Sequence, residues 1–252
     1  MSHYTVGVIL PKEVLEEDLN EYLSKALAPF DEHIEVEPYI RYTKEELLVQ
    51  YENYKKRELK RHQDKNFNET FSMIKGDMEI PDLEVRSFED FVTIYMGYDI
   101  DKDFNALSTY NPNSKWDSYK IGGRWYSSVK LKDGSYCDYA RIKDIVFEEE
   151  FSEEELIAMK ESYKIAITEG DFFVPEYNKK RYPTFEIYLK NRNFTTYALL
   201  DEKGNWLEPG QMGSFGISAS TYGEEIEFTD KYLDIIKSHN EDNWFVLVDC
   251  HI

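Results

Sequence analysis

The sequence has little cysteine, no long apolar run and few positive charges for its size. Its two cysteines, Cys137 and Cys250, are too few for a disulfide scaffold. No apolar stretch approaches the roughly 20 residues of a membrane-spanning helix. The opening MSHYTVGVILPKE has the pattern of a strand rather than of a signal peptide. These absences predict a soluble protein of a reducing, intracellular compartment, with no membrane partner.

Basic residues are outnumbered by acidic ones, 30 to 50, which gives a formal net charge of −20. Such a surface repels nucleic-acid phosphate unless a local patch reverses the sign. The one basic island is the predicted helix at 55–65, which is either a solvated helix face or an anion contact. We therefore expect no direct nucleic-acid binding except through this helix. Its basic residues are Lys55, Lys56, Arg57, Lys60, Arg61 and Lys65.

The chain does have enough apolar material for a sizeable core, with 41% hydrophobic and 15% aromatic residues among 252. Strand patterns open and close the chain at residues 4–10 and 244–251, and we expect both to be ordered in a sheet. Hairpins are predicted over residues 124–142 and 195–207, and helical spacing recurs at 12–28, from 43, and at 88–97, 152–169 and 228–239. This order predicts an α+β fold: a mostly antiparallel sheet with packed helices and a helical excursion.

The length fits a single α+β domain over residues 1–252. The alternative is two lobes, with a core formed by residues 1–42 and 88–252 and a helical excursion at 43–87. Residues 66–86 lack periodicity, so we expect few buried contacts there and faster hydrogen exchange in 55–86 than in 124–142.

A first candidate site lies in the segment NPNSKWDSYKIGGRW, residues 111–125. Arg124 could hold a phosphate or carboxylate bidentately, and two flanking indoles could stack on a planar ligand. Two glycines would let the backbone approach that ligand closely. The alternative is a structural corner in which Arg124 pairs with Asp117 and both tryptophans lie in the core. The candidate binding residues are Trp116, Asp117, Gly122, Gly123, Arg124 and Trp125.

A second candidate is the glycine-rich stretch at 206–216, where Met212 and Gly213 would contact the ligand. Free backbone N–H groups in such a loop can cradle an anion. No Gly-Lys-Ser/Thr follows, so the stretch is not a Walker motif, and a plain loop after a hairpin is the other interpretation.

A third candidate is the ending Asp249-Cys250-His251. Side chains alternate along a strand, so Asp249 and His251 share a face while Cys250 points away, which separates the thiol from the imidazole. Asp249 and His251 would be the catalytic residues of an enzyme, and His3 could join them if the first and last strands are neighbours. Three such residues could hold a metal, but the spacing specifies neither a metal nor a cofactor. The alternative is an ordinary polar strand end.

Several of these segments together resemble a group of phage- and prophage-encoded proteins. The segments are SHYTV, LAPFDE at 27–32, NPNSKWDSYKIGGRW, TTYALLDEKGNWLEPGQMG and the terminal VDCHI. The resemblance covers most of the chain outside the basic helix and residues 66–86. It implies a phage protein that acts in the cytoplasm of its bacterial host, and it carries over no activity.

Three functions are consistent with these patterns. The first is a host-defence antagonist that binds a nucleotide-like or other planar anion in one site built from Arg124, the two tryptophans and the loop at 210–216, with Asp249 and His251 at its rim. The second is a hydrolase of such a ligand that uses Asp249 and His251. The third is an acidic inhibitor that imitates DNA and blocks a nucleic-acid-binding host protein. The partner is accordingly a small anionic ligand or a host protein.

Overall fold

A computed structural model describes residues 2–63, 87–170, 172–210 and 220–252 of the chain, with side chains described up to residue 59 in the first range. The chain divides into two units. Unit 1 comprises Met1–Glu32 and Asn113–Ile252, and unit 2 comprises His33–Pro112. The division differs from the two-lobe boundaries predicted from the sequence, because the strand Glu35–Tyr42, which precedes the basic helix, pairs with the strand Ala106–Tyr110 rather than with the sheet of unit 1.

Unit 1 is built on a six-stranded sheet with β1 and β11 at its centre. These two strands, His3–Leu10 and Trp244–His251, are antiparallel along their whole length. On the other side of β1 lies β9, Ala198–Leu200, which pairs with it in parallel, followed by β10, Trp206–Leu207. The free edge of β11 pairs with β8 and then with β5. The bounds are β5 Ser118–Ile121 and β8 Tyr139–Arg141.

Both faces of this sheet are buried. Even-numbered residues of β1 and β11 pack into one core cluster, here cluster A, together with helix α1, Leu19–Leu27. Alternate residues, including Ile9, Phe245 and Leu247, pack into cluster B with helix α7, Tyr222–Ser238. The run of consecutive apolar residues in β11 reflects this two-sided burial, since a strand covered on both faces needs no polar alternation.

The remaining elements of unit 1 lie outside the central sheet. The short strands β6 and β7 form a small hairpin at Val129–Lys130 and Tyr136–Cys137. Further helices of unit 1 are α4 Glu153–Thr168, α5 Pro175–Arg181 and α6 Phe185–Lys190. Helix α4 begins with a capping box between Ser152 and Glu155, and α7 begins with one between Thr221 and Glu224.

The described residues of unit 2 form a three-stranded sheet and two helical elements. Strand β2, Glu35–Tyr42, pairs with β4, Ala106–Tyr110, which pairs with β3, Asp99–Ile100. Helix α2 spans Lys44–Gln63. A short α-helix, Phe88–Asp90, continues as a π-helix, Phe91–Tyr95, and we call the two together α3. The core of the unit, cluster C, consists of Leu47, Phe91, Val92 and Ala106.

The predicted α+β fold with mostly antiparallel pairing is confirmed, and both terminal strands are ordered in the central sheet. The predicted hairpin at 124–142 is much shorter than expected, because the two glycines before Arg124 turn the chain and leave Arg124 in a 3-10 turn. Helix α7 begins earlier than predicted, at its Thr221 cap. The expectations for residues 66–86 lie outside the described ranges. No helix in the described ranges has the length and apolar character to cross a membrane.

Candidate active site

The polar ends of β1 and β11 meet on the face of the sheet that carries cluster B. His3 lies opposite His251 in the antiparallel register, and Asp249 lies opposite Thr5. Odd-numbered side chains of both strands share this face, since Ile9, Phe245 and Leu247 all belong to cluster B. The sheet therefore brings His3, Asp249 and His251 together from opposite ends of the chain.

Asp249 is the most buried charged group of this site, with 6% of its surface exposed. One of its oxygens, Oδ1, is 2.8 Å from His3 Nδ1. The other, Oδ2, accepts a hydrogen bond of 2.9 Å from the backbone N–H of Arg124. Both oxygens thus have partners, as a buried carboxylate requires.

A second carboxylate orients the other histidine. His251 Nδ1 lies 2.6 and 2.7 Å from the two oxygens of Asp117. The backbone N–H of Asp117 also donates to the carbonyl of His251, which fixes the start of β5 against β11. The two imidazole rings are in edge contact, with their centroids 4.8 Å apart. The result is two neighbouring carboxylate–histidine dyads, His3–Asp249 and His251–Asp117.

The hydrogen bonds select the tautomer of each neutral imidazole. An ionised carboxylate can only accept, so each Nδ1 carries the proton and donates it. In the neutral ring the lone pair is then on Nε2. Among the residues that the structure describes, no side chain or backbone group is bonded to Nε2 of His3 or of His251. Each imidazole is therefore equipped to take up a proton at Nε2 or, once protonated, to deliver it.

The Gly122–Gly123 turn makes the contact between Arg124 and Asp249 possible. Both glycines have positive φ, +65° and +50°. A methyl group on Gly123 would overlap Asp249, and one on Gly122 would overlap Asp138. The N–H of Gly122 donates to the carbonyl of Leu247, which holds the turn on β11. Glycine suits both positions, because it adopts positive φ without strain and leaves room for the two carboxylates.

Two basic residues are adjacent to Asp249 in the fold. Arg124 follows the glycine turn, and Lys120 lies opposite Asp249 on the adjacent strand β5. Tyr119 and Ile121 pack into cluster A, so the alternation of β5 places Lys120 on the face of the dyads. Both cations are exposed, and neither has an ion-pair partner within the described ranges.

The two tryptophans predicted to stack on a ligand lie on opposite faces of the sheet. Trp116 is buried in cluster A, where its indole N–H donates to the carbonyl of Leu27. Trp125 packs against cluster B. They do not form the two walls of one pocket, because the chain crosses from one face to the other in the turn after β5. Met212 and Gly213, from the glycine-rich loop, lie outside the described residues.

Sequence reasoning missed the partner of Asp117 and the position of Lys120. The sequence allowed a pair between Asp117 and Arg124, but the carboxylate binds His251. The position of Lys120 follows from the alternation of side chains along the short strand Ser118–Ile121, but the turn-forming residues before and after this strand hid it in the sequence.

Cys250 points into cluster A, and burial together with the charge of Asp249 raises the pKa of its thiol. This agrees with the expected separation of the thiol from the imidazole.

The described residues contain no group of three or more His, Cys, Asp or Glu side chains arranged to hold a metal ion. In both dyads the Nδ1 atom is already bonded to a carboxylate.

Comparisons of the chain with protein-family models, curated proteins and solved structures gave no match. Function is therefore inferred from the geometry.

Proposed function

We propose that unit 1 is a hydrolase of a small anionic ester, with a phosphate ester as the preferred class, and that His3 and His251 exchange protons with the substrate. The observation that carries this proposal is the pair of adjacent imidazoles, each oriented by its own carboxylate. A single His–Asp contact is common in proteins, but two in ring contact supply a base and an acid at one place.

The reaction needs one imidazole in its neutral form and the other protonated. The neutral ring takes a proton from water at Nε2 while the water oxygen attacks phosphorus. The bond from phosphorus to the leaving oxygen breaks, and the protonated ring delivers its proton to that oxygen. One water is consumed, an alcohol and a phosphate are released, and the two rings have exchanged protonation states. The paired carboxylates of Asp117 and Asp249 stabilise whichever ring carries the charge.

Arg124 and Lys120 account for the preference for an anion. Both are exposed beside the dyads and lack ion-pair partners within the described part of unit 1. A guanidinium binds two oxygens of a phosphate at once, and a fixed positive charge beside the phosphoryl oxygens stabilises the negative charge that they carry in the transition state. The cations therefore contribute to substrate binding and to the rate.

The test uses the purified chain and chromogenic phosphate mono- and diesters, with nitrophenolate release as the readout. We expect turnover to fall by roughly 10²–10⁴-fold in His3→Gln and in His251→Gln, the range for loss of a general acid or base. His239→Gln is the matched control, since His239 also faces a carboxylate, that of Glu202 at 3.4 Å, outside the site. Turnover that is absent from the native chain, or that survives both substitutions, would contradict the proposal.

A binding protein without turnover is the second candidate, and the guanidinium of Arg124, which has no ion-pair partner among the described residues, favours it. Calorimetry with the same esters separates the two functions. A hydrolase should keep substrate affinity in His251→Gln and lose turnover, whereas a binding protein should show saturable affinity with no turnover in any variant. Arg124→Ala should weaken binding in both cases.

The resemblance to phage and prophage proteins supports a role for this reaction during phage infection. In that setting the protein acts in the cytoplasm of an infected bacterium and removes or sequesters a small anion of a host defence. Mass spectrometry of small molecules that co-purify with His251→Gln from infected cells would identify the substrate. A preparation with no enrichment over His239→Gln would count against this role.

A further inference from the structure

Unit 2 contains a groove that the dyad chemistry of unit 1 does not use. The groove lies between α2 and α3 and has a volume of about 510 Å³. This is within the roughly 300–1,000 Å³ of sites for small organic ligands. The lining residues relevant here are Gln50, Asn53, Lys56, Arg57, Tyr95 and Met96.

One wall of the groove is the polar face of α2. Gln50, Asn53 and Lys56 follow one another at intervals of three residues, with Arg57 beside them, so they share one side of the helix. Lys55 is paired with Glu52 at 2.5 Å. Lys56 and Arg57 are exposed and have no ion-pair partner in the described ranges. These two unpaired cations are adjacent to the amide side chains in the groove.

The opposite wall presents an exposed aromatic ring in a fixed position. Tyr95 is 45% exposed, and its ring stacks on Phe91 with centroids 5.4 Å apart and planes 18° apart. Tyr54 supports it from α2, with centroids 4.6 Å apart. The π-helical turn, closed by a hydrogen bond from the N–H of Met96 to the carbonyl of Phe91, sets this orientation. Such turns are often found at functional sites.

We propose that this groove binds single-stranded nucleic acid, with a base stacked on Tyr95 and its phosphates on Lys56 and Arg57. Proteins that bind single strands combine a basic groove with aromatic rings on which bases stack. Residues 55–61 contain five basic residues and one acidic residue in a chain of net charge −20, so the positive potential is local. The groove is sized for a nucleotide unit rather than for a duplex, and the phosphate contacts of Lys56 and Arg57 make binding sensitive to salt.

Fluorescence anisotropy with labelled oligothymidylate and oligouridylate of about 12 nucleotides, at low salt, tests the proposal on the full chain. We expect Tyr95→Ala to raise Kd by roughly 5- to 150-fold. Tyr95→Phe, which keeps the ring, should bind like the native chain. Lys56→Glu should weaken binding and flatten the salt dependence. Lys102→Glu is the matched control, because it makes the same charge change at an exposed position of unit 2 outside the groove.

Three results would overturn the assignment. The first is no binding of either oligonucleotide. The second is an equal loss in Lys102→Glu and Lys56→Glu, which would indicate a diffuse charge effect. The third is competition by thymidine monophosphate, or by duplex DNA, as strong as that by the unlabelled strand. Circular dichroism of each variant shows whether a loss of binding reflects a loss of structure.

Discussion

Asp249→Asn should separate the structural role of the buried carboxylate from its role in orienting His3. The native side chain accepts two hydrogen bonds, one from His3 Nδ1 and one from the N–H of Arg124. A hydrogen bond to a charged group contributes about 1.5–3 kcal/mol to stability, and a neutral one about half of that. The amide oxygen of asparagine can still accept the hydrogen bond from the N–H of Arg124, now as a neutral acceptor. The amide NH₂ group would then face Nδ1 of His3. We expect the free energy of unfolding to fall by about 2–3 kcal/mol.

The change should also reverse the tautomer of His3. An amide NH₂ at the position of Oδ1 favours a lone pair on Nδ1 and moves the imidazole proton to Nε2. A neutral His3 could then no longer act as a base at Nε2. Nitrogen NMR of the imidazole ring reports this tautomer directly and does not require any substrate.

Thermal melting supplies the stability measurement. About 2–3 kcal/mol corresponds to a fall in Tm of roughly 4–12 °C for a unit of this size. Asp242→Asn is the control, because Asp242 is half exposed and pairs with Lys143 on the surface, where a pair contributes about 0–1 kcal/mol. If the Tm of Asp249→Asn equals that of Asp242→Asn, and the imidazole of His3 keeps its native tautomer, the inferred geometry of the His3–Asp249 dyad is wrong.

Three further predictions concern the fold around the site. Gly123→Ala should lower Tm more than Gly134→Ala, because both glycines have positive φ but only a methyl group at Gly123 meets another side chain. Burial raises the pKa of Cys250, which is fully buried, so mass spectrometry after native alkylation should find the label on Cys137, the more exposed thiol. Hydrogen bonds from the N-cap of α7 lower the pKa of Glu224. Its stabilising contribution is thus present above its unfolded pKa and lost as pH falls through the lowered folded value, so the Tm advantage over Glu224→Gln should shrink as the solution is acidified and the carboxyl is protonated.

The sequence predicted those parts of the site that depend on strand periodicity. Alternation placed Asp249 and His251 on one face and Cys250 on the other, and the structure has this arrangement. The inclusion of His3 depended on pairing between the first and last strands. No local pattern could supply that pairing, because it joins residues 246 positions apart. Both terminal segments are apolar enough to need sheet partners, but this does not specify that they pair with each other.

The path of the chain through the glycine turn could not be predicted from spacing. Trp116 and Trp125 are nine positions apart, and a pocket in which both indoles stack on one ligand requires both side chains to lie on the same face of the sheet. The positive φ values of Gly122 and Gly123 reverse the chain after β5 and send the two indoles to different clusters. Residue types alone do not reveal the φ angles that glycines will adopt, so the sequence supported both a pocket and a structural corner.

The polar end of β11 also has a structural role. Because residues 244–248 are apolar and buried on both faces, a shift of β11 by one residue would cost little in hydrophobic burial. The same shift would move Asp249 into cluster A, away from His3 and from the N–H of Arg124, and an unpaired buried carboxylate costs several kcal/mol. The carboxylate–histidine contacts therefore fix the register of the central strand pair. It follows that substitutions at Asp249 should affect both turnover and folding, whereas substitutions at the exposed Arg124 side chain should affect ligand binding with little change in Tm.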